Sequence, residues 1–398
     1  MKRLISGIII LFAFLIDTQI GFFLGMSLLL YGACLILMLF VIINITINKL
    51  RYDKVDLYII ILALVILLLK WVIGQNFLFM VIYLSIIPML LSICYENFTR
   101  KDLTLLLRSI IIFYITECCL SIVEWVLKRN FFVFQDWILE AISNWEKYEG
   151  LFRSSSLLGH PLSNAQVVAV FMTFIAVSNF KRKDVQIILF FLGYVSLFCF
   201  GARGATLVVT VFTVPYFIWK INKTTPSSKK WIIKLAVLCL FFVFGYGIIQ
   251  TSLGDRLLRG ELMDNSSQTR IDVFQFRNYQ TQEDFLWGRE DATVYMSEVH
   301  NFPVENGVIA ILIEYGIILT IPLLTLLFLF QYRKLFIYSK FEKWLLLAVF
   351  FIIGSLNPNL TYTIQWTMWI NAYYAFRHFQ TLNNKNISNF NPLLYCIN

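Results

Sequence analysis

Residues 306–330 read NGVIAILIEYGIILTIPLLTLLFLF and contain a single charged side chain, that of Glu314. About 20 consecutive apolar residues are enough for a helix to cross the hydrocarbon core of a bilayer. The stretch that precedes this run, residues 251–305, is polar instead and contains five arginines but no lysine. The change in composition at residue 306 predicts that a membrane span directly follows a soluble segment.

Composition places the rest of the chain in the membrane class as well. Hydrophobic residues make up 59% of the 398 residues and charged residues 14%, whereas soluble domains contain about 45–50% apolar and about 25% charged residues. We therefore predict an all-α, polytopic integral membrane protein with about twelve transmembrane helices. The predicted spans are 3–17, 20–47, 55–74, 76–95, 103–127, 161–180, 184–200, 203–221, 231–250, 306–330, 343–357 and 361–377.

Basic residues determine the predicted orientation. Alternate threading of the spans puts five Lys/Arg clusters on one side, near residues 49–54, 100–101, 181–183, 220–230 and 333–343. Cytoplasmic loops carry an excess of Lys and Arg, so this side is assigned to the cytoplasm together with both termini. The net charge of +9 is then explained by orientation, and no nucleic-acid partner is expected.

This threading divides the chain into four parts. Residues 1–250 form spans one to nine with an outer loop near 128–160, and residues 251–305 form an extracytoplasmic loop domain. Residues 306–377 form spans ten to twelve, and residues 378–398 form a cytoplasmic tail. The basic N-terminus and the apolar residues after it lack a small-residue cleavage pattern, so they are interpreted as a retained span rather than a signal peptide.

Arginine is concentrated on the predicted outer face. That face has eight arginines and three lysines, whereas the inner side has seven arginines and fifteen lysines. A guanidinium group pairs with phosphate in bidentate fashion, and lysine acts as a point charge. The ratio favours a phosphate-bearing substrate. The alternative is that the outer arginines are loop charges paired with the ten acids of residues 251–305.

Two outer-face motifs place an arginine at the membrane surface. Arg153 lies shortly before Gly159-His160-Pro161, a predicted turn in which the proline suits the first turn of the next helix. Arg203 lies in Gly201-Ala202-Arg203-Gly204, a tight reversal between two spans, where a deeply placed arginine is costly unless it is paired or faces water. The alternatives are a snorkelling Arg153 and a capping His160.

A third candidate lies in the extracytoplasmic loop domain. Ser267 is a predicted N-cap, and Arg270 and Arg277, seven residues apart, would share one face of the helix that follows it. Ile271 and Phe274 are expected to pack down on the membrane domain. A solvated surface helix is the alternative.

His300-Asn301 closes the extracytoplasmic loop domain and is the fourth candidate. Histidine can serve as a general base near neutral pH, so His300 is the predicted catalytic residue. Asn301 is expected to bind a sugar hydroxyl, and Glu305 or Glu314 is expected to orient the imidazole or bind sugar. A structural interfacial histidine is the alternative.

Glu117 and Glu124 would share one face of the fifth span, and a mid-membrane carboxylate is functional or paired. Glu117 is the best feature for a transporter. Sequence motifs of other catalytic systems, such as GxSxG, HExxH and the P-loop, are absent. With three histidines, no CxxC and no Asp-rich motif, no metal site and no cofactor are expected.

In this order, the four motifs resemble those of the bacterial O-antigen polymerase and O-antigen ligase superfamily. The resemblance covers roughly residues 150–320, and the first five spans match by hydropathy only. Pro161 and Asn164 are separated by two residues where many members have them adjacent, so no catalytic role is assigned to Asn164. The matching residues are Arg153 with Gly159, Pro161 and Asn164; Arg203 with Gly204; Arg270; and His300-Asn301 with Glu314 and Gly316.

The resemblance implies a multi-pass glycosyltransferase of the bacterial cytoplasmic (inner) membrane that uses a polyprenyl-pyrophosphate-linked oligosaccharide. It implies pyrophosphate binding by Arg153, Arg203 and Arg270 and tentative sugar or acceptor contacts by His160, Arg277, Asn301, Glu305 and Glu314. Further expected partners are the lipid bilayer and the chain-length regulator and flippase of the same pathway. A polymerase is favoured because the motifs are followed loosely. A ligase acting on lipid A-core and an exporter of lipid-linked oligosaccharide are the alternatives.

Overall fold

A computed structural model describes most of the predicted spans and part of the predicted extracytoplasmic loop domain. The described residues are 6–11, 18–19, 23, 53–72, 87–134, 152–224, 231, 245, 272–289, 292–300, 304–356, 360 and 363–383. They form helices, turns and loops, and no strand occurs among them. The all-α prediction is therefore confirmed for this part of the chain.

Twelve α-helices are considered below, and they are numbered in chain order. They are α1 (Lys54–Val72), α2 (Ile87–Glu96), α3 (Arg100–Leu127), α4 (Pro161–Val177), α5 (Lys183–Cys199), α6 (Arg203–Val208), α7 (Val214–Thr224), α8 (Gln282–Trp287), α9 (Ala292–His300), α10 (Gly307–Lys334), α11 (Lys340–Ser355) and α12 (Thr363–Asn383). A π-helix, Val209–Thr213, joins α6 to α7.

Three stretches are long and apolar enough to cross a membrane: Arg100–Leu127, Arg203–Thr224 and Gly307–Ile337. The shorter helix α4 is also apolar. The predicted spans 20–47 and 231–250 lie outside the described residues, apart from positions 23, 231 and 245. Membrane-spanning character is thus supported for part of the bundle, and the count of twelve spans stays a prediction.

Local sequence explains where several helices begin. Thr99 and Asp102 form a reciprocal capping box at the start of α3, and Ser339 and Glu342 form another before α11. Such boxes satisfy backbone N–H groups that have no partner within the helix. Asn306 caps α10 by accepting from the backbone N–H groups of Val308 and Ile309.

Helix α4 lies at the centre of the bundle. All of its residues except Leu162 are buried, and it packs against α3, α5, α11 and α12. A helix that is apolar on every face is stable only when other elements surround it. The loop that leads into α4 is consequently held beside the core.

Ion pairs join several helices at the end of the bundle that the sequence assigns to the cytoplasm. Lys334 at the end of α10 pairs with Asp56 and lies 3.5 Å from Glu96. Arg377 of α12 binds the same Glu96 at 3.2 Å. Several of the predicted inner basic residues therefore neutralise acids at the helix ends.

Helix α10 is interrupted within its apolar run. Gly316 has φ +67 and ψ 164, which is outside the helical region. A residue with a side chain rarely adopts this conformation, whereas glycine does so without steric cost. The tenth predicted span is thus two helical pieces joined at Gly316, and the break creates a place where another segment docks.

Candidate functional site

Residues 152–160, here called the anchored loop, connect the outer loop to α4. Ser154, Ser155 and Ser156 are fully buried, although this stretch is not helical. Irregular backbone at membrane depth is tolerated only where protein or enclosed water satisfies its polar groups. The hydrogen bonds of this loop therefore determine whether it can hold a fixed shape.

Four consecutive amides of the anchored loop have partners. The N–H of Ser154 donates to the carbonyl oxygen of Cys199 at 3.0 Å. The N–H groups of Ser155 and Ser156 both donate to Oε2 of Glu124, at 3.1 and 2.9 Å. The N–H of Leu157 donates to Oε2 of Glu117 at 3.3 Å. Two side chains of α3 and the end of α5 thus hold the loop.

Glu124 is the principal anchor. Its Oε2 also accepts from the Ser154 hydroxyl at 2.5 Å, and its Oε1 accepts from the N–H of Phe131 at 2.9 Å. The carboxylate is fully buried, and hydrogen bonds to a charged acceptor are the strong class. The sequence correctly placed Glu117 and Glu124 on one face of α3, and the structure shows that this face holds the anchored loop.

The anchored loop brings Arg153 to the turn that contains Arg203. A Cβ atom built on Gly201, which has φ +62, would lie 3.2 Å from Cγ of Arg153. The amide of Asn130 also donates to the carbonyl oxygen of Arg153 at 3.4 Å. Arg203 is two residues beyond Gly201 and starts α6. Both arginines are half-buried, and their backbones converge although 50 positions separate them in sequence.

His160 ends the anchored loop and occupies the N-cap position of α4, with Pro161 at the first helical position. The imidazole makes no capping hydrogen bond, so the capping role considered from the sequence is not observed. Burial and the nearby charge of Arg153 lower the pKa of His160 from 6.5 to about 4. A neutral imidazole therefore lies beside Arg153 at ordinary external pH.

Gln19 supports the same loop from the N-terminal region. Its N–H donates to the carbonyl oxygen of Leu157 at 2.9 Å. A Cβ atom on Gly159, which has φ +73, would lie 2.5 Å from Cγ of Gln19. The contact requires glycine, which explains one residue of the Gly-His-Pro motif. Reasoning from sequence missed Gln19 because no local pattern links it to a position 140 residues away.

The helix headed by Arg203 contains a π-helical turn. Val209–Thr213 lies between α6 and α7, and Thr213 is buried with its hydroxyl 3.2 Å from that of Thr173 on α4. π-helical turns are rare and frequently occur at functional sites. Here the turn changes the register between the Arg203 end and the rest of the predicted span.

The described part of the predicted extracytoplasmic loop domain, residues 272–300 without 290–291, is here called the outer segment. It consists of a 3₁₀-helix, Val273–Tyr279, followed by α8 and α9. Val273 is buried and Phe274 is 68% exposed, so the expected packing of Phe274 on the membrane domain is wrong. Ser267, Arg270 and Ile271 lie outside the described residues.

The outer segment docks on the break in α10. Gly288 has φ +79, and a Cβ atom on it would lie 2.5 Å from the backbone nitrogen of Gly316. A Cβ atom on Gly316 would likewise lie 2.5 Å from the nitrogen of Gly288. The N–H of Arg289 donates to the carbonyl oxygen of Ile313 at 3.1 Å. Backbone meets backbone at this point, and neither glycine has room for a side chain.

His300 is the last residue of α9 and is half-buried. The rings of Tyr279 and Tyr295 each lie 5.2 Å from its ring, centroid to centroid. The guanidinium carbon of Arg289 lies 3.5 Å from the Tyr295 ring centroid. The predicted base therefore has aromatic neighbours on two sides, and one of them also packs against an arginine.

The other predicted residues of this region are placed as follows. Glu314 is buried and accepts from the Thr293 hydroxyl at 2.9 Å, which ties α9 to α10. Glu305 is half-buried just before the cap of α10. Arg277 is exposed, donates to the carbonyl oxygen of Gln280 at 2.8 Å and lies 4.8 Å from the Phe285 ring. Asn301 lies outside the described residues.

The candidate residues thus fall into two groups. Arg153, His160 and Arg203 lie around the anchored loop, beside the main core, whereas His300 and Glu314 lie around the outer segment. A small separate hydrophobic cluster supports the outer segment. In the described part of the chain, no group of three or more His, Cys, Asp or Glu side chains could hold a metal ion.

No protein-family model, curated protein or solved structure matches this chain. The residues and their geometry therefore carry the functional argument.

Proposed function

We propose that this chain is a membrane glycosyltransferase. It polymerises polyprenyl-pyrophosphate-linked oligosaccharide repeat units into O-antigen, capsular or exopolysaccharide on the outer face of the bacterial cytoplasmic membrane. The apolar helices support membrane residence. The arginine motifs support a phosphate-bearing substrate.

The observation that carries the proposal is the approach of Arg153 to the Gly201–Arg203 turn. Pyrophosphate carries more charge than one guanidinium group neutralises, so a site for it requires more than one cation. Two arginines distant in sequence are brought to one end of the bundle by a loop with satisfied amides. Cations placed in advance where charge develops on a leaving group are an efficient catalytic device.

The reaction is a substitution at the anomeric carbon of the donor sugar. The acceptor hydroxyl forms the new C–O bond, and the bond from the anomeric carbon to the pyrophosphate oxygen breaks. The hydroxyl proton passes to a base, for which His300 is proposed, and polyprenyl pyrophosphate leaves with the bonding electron pair. General-base catalysis of this kind contributes about 10²–10⁴-fold in rate.

Enzymatic function is favoured over transport by the environment of the two carboxylates on α3. A carrier would be expected to expose such groups to a substrate pathway. Glu124 accepts four hydrogen bonds from neighbouring loops, and Glu117 accepts one from the anchored loop. These contacts support a structural role for the intramembrane acids, so the main argument for an exporter is weakened.

The test is reconstitution of the purified full-length protein in vesicles with lipid-linked repeat units, scored by the size of the glycan products. A polymerase produces a ladder of repeat units on the polyprenyl lipid. A ligase produces transfer to added lipid A-core without a ladder. Movement of the lipid-linked substrate across the bilayer with no new glycosidic bond would refute an enzymatic function.

A further inference from the structure

We propose that Glu124 is a positioning residue that holds Arg153 against the Gly201–Arg203 turn, so that both arginines act on one pyrophosphate group. The inference rests on the proposed function and adds a residue that the motifs do not contain. Glu124 lies on α3, outside the part of the chain that resembles the polymerase and ligase superfamily.

Glu124 occupies the concave side of the anchored loop. Consecutive backbone N–H groups that point at one oxygen form an anion-binding concavity. In this loop the N–H groups of Ser155 and Ser156 and the hydroxyl of Ser154 all point at Oε2 of Glu124. The protein's own carboxylate fills the concavity, so the substrate anion must be held by side chains rather than by these amides.

The hydrogen bonds connect Glu124 to Arg153 through a short rigid path. Ser154 follows Arg153 directly, and it is held on one side by Glu124 and on the other by the carbonyl oxygen of Cys199. Cys199 lies two residues before Gly201, against which the Arg153 side chain packs. Glu124 thereby helps to fix the backbone next to Arg153, and with it the direction from which the Arg153 side chain reaches Gly201.

Removing the carboxylate charge should lower the fraction of molecules with a correctly placed Arg153. The buried N–H of Ser156 would lose its charged acceptor, whereas that of Ser155 would keep Oδ1 of Asn130 at 2.8 Å. A buried donor whose acceptor is weakened is costly. The apparent dissociation constant rises by the reciprocal of the competent fraction. The effect should appear in ligand affinity and KM, and kcat at saturating substrate should be retained.

The experiment measures binding of farnesyl pyrophosphate, a short polyprenyl pyrophosphate, to purified full-length protein in detergent. Glu124→Gln should weaken binding about tenfold, as expected if about one tenth of the molecules are competent. Ser154→Ala, which removes one hydrogen bond to the carboxylate, should weaken it about threefold. Ser121→Ala is the matched control, because Ser121 is also buried on α3 but donates within its own helix to Cys118.

In turnover assays, Glu124→Gln and Ser154→Ala should raise KM by the same factors and leave kcat within about twofold. A merely structural role would instead reduce the amount of active protein, which lowers the apparent kcat without changing KM. If Glu124→Gln fails to fold, Ser154→Ala decides the question by itself.

The inference would be overturned if Ser154→Ala, and Glu124→Gln where it folds, bound farnesyl pyrophosphate as tightly as the wild-type protein. The pyrophosphate site would still be supported in that case if the wild-type protein bound the ligand and Arg153→Ala did not. Failure of the wild-type protein to bind farnesyl pyrophosphate would contradict the proposed function and, with it, the positioning role.

Discussion

The anchored loop and the outer segment are stabilised in different ways. The anchored loop is buried, and carboxylates on a neighbouring helix accept its amide hydrogen bonds. The outer segment is largely exposed, and it is attached by a glycine-to-glycine backbone contact and a Thr293–Glu314 hydrogen bond. A buried loop must find its hydrogen-bond partners within the protein, whereas an exposed segment can also bond to water.

The comparison suggests a division of labour. If the chain has the proposed function, the rigid loop would position the cations for the leaving group, since preorganised charges work best when they do not have to move. The outer segment would then carry the proposed base to the acceptor.

The largest expected effect comes from the outer segment. Replacing His300 by alanine removes the proposed base and should reduce polymer formation about 10²–10⁴-fold, measured as ladder yield in reconstituted vesicles. Val299→Ala is the matched control, because Val299 is on the same helix and 59% exposed. Near-normal ladders from a well-folded His300→Gln protein would contradict the base assignment and leave the arginine site standing.

The next largest effect is expected at Arg203 in the Gly201–Arg203 turn. Arg203→Ala should lower kcat about 10²–10³-fold, the cost of losing one preorganised group at a developing charge. Arg203→Lys should also impair turnover because the planar fork is lost. Arg182→Ala is the control, since Arg182 is an exposed arginine paired with Asp184 at the other end of the bundle. Full activity of Arg203→Lys would argue against bidentate phosphate binding.

The attachment of the outer segment can be weakened without touching either group of candidate residues. Gly316→Ala places a side chain where φ is +67 and the Gly288 backbone is in contact, at a cost of about 1–3 kcal/mol. Trypsin should then cleave at the exposed Arg277 about 5- to 150-fold faster, because each 1.4 kcal/mol is a factor of ten in the population of the undocked segment. Gly7→Ala, where a Cβ atom meets nothing within 4 Å, should leave the cleavage rate unchanged. Equal rates for both variants would refute the docking contact.

The smallest expected effect is a pH dependence of the anchored loop. His160 has a pKa of about 4 in the folded protein and about 6.5 when unfolded, so only the unfolded chain takes up this proton between these values. The contribution of His160 to the free energy of unfolding should be constant above pH 6.5 and should fall as the pH drops from 6.5 towards 4. The slope is at most about 1.4 kcal/mol per pH unit, reduced by solvent screening.

Thermal unfolding of wild type and His160→Gln at pH 7 and pH 5 measures this contribution. The variant should lose less stability than the wild type between the two pH values. Identical losses would show that His160 is not buried in its neutral form.

The sequence predicted the helices better than the contacts between loops. The predicted spans 103–127 and 161–180 correspond to Arg100–Leu127 and Pro161–Val177, because apolar length is a local property. The break at Gly316 was not predicted, since one glycine in an apolar run does not reveal its φ. The four hydrogen bonds to Glu124 were also not predicted. They join α3 to Phe131 and to residues 154–156, and no sequence pattern marks these residues as partners of Glu124.

The sequence indicated which residue types form the candidate site, but only part of their arrangement relative to one another. The arginine motifs predicted that Arg153, Arg203 and Arg270 act together. The structure places Arg153 against Gly201 of the Arg203 turn, and Arg270 lies outside the described residues. The position of His300 relative to them depends on how the outer segment docks, which is decided by the close approach of Gly288 and Gly316. Such an approach leaves no residue pattern other than two separate glycines.

The central claim is that Arg153 and Arg203 hold the same pyrophosphate group, and a double-mutant cycle on farnesyl pyrophosphate affinity tests it most directly. The four proteins are the wild type, Arg153→Lys, Arg203→Lys and the double variant. Two side chains on one ligand should give a coupling free energy of about 0.5–3 kcal/mol. Additive losses, within about 0.3–0.5 kcal/mol, would contradict a shared site and return each arginine to an independent role.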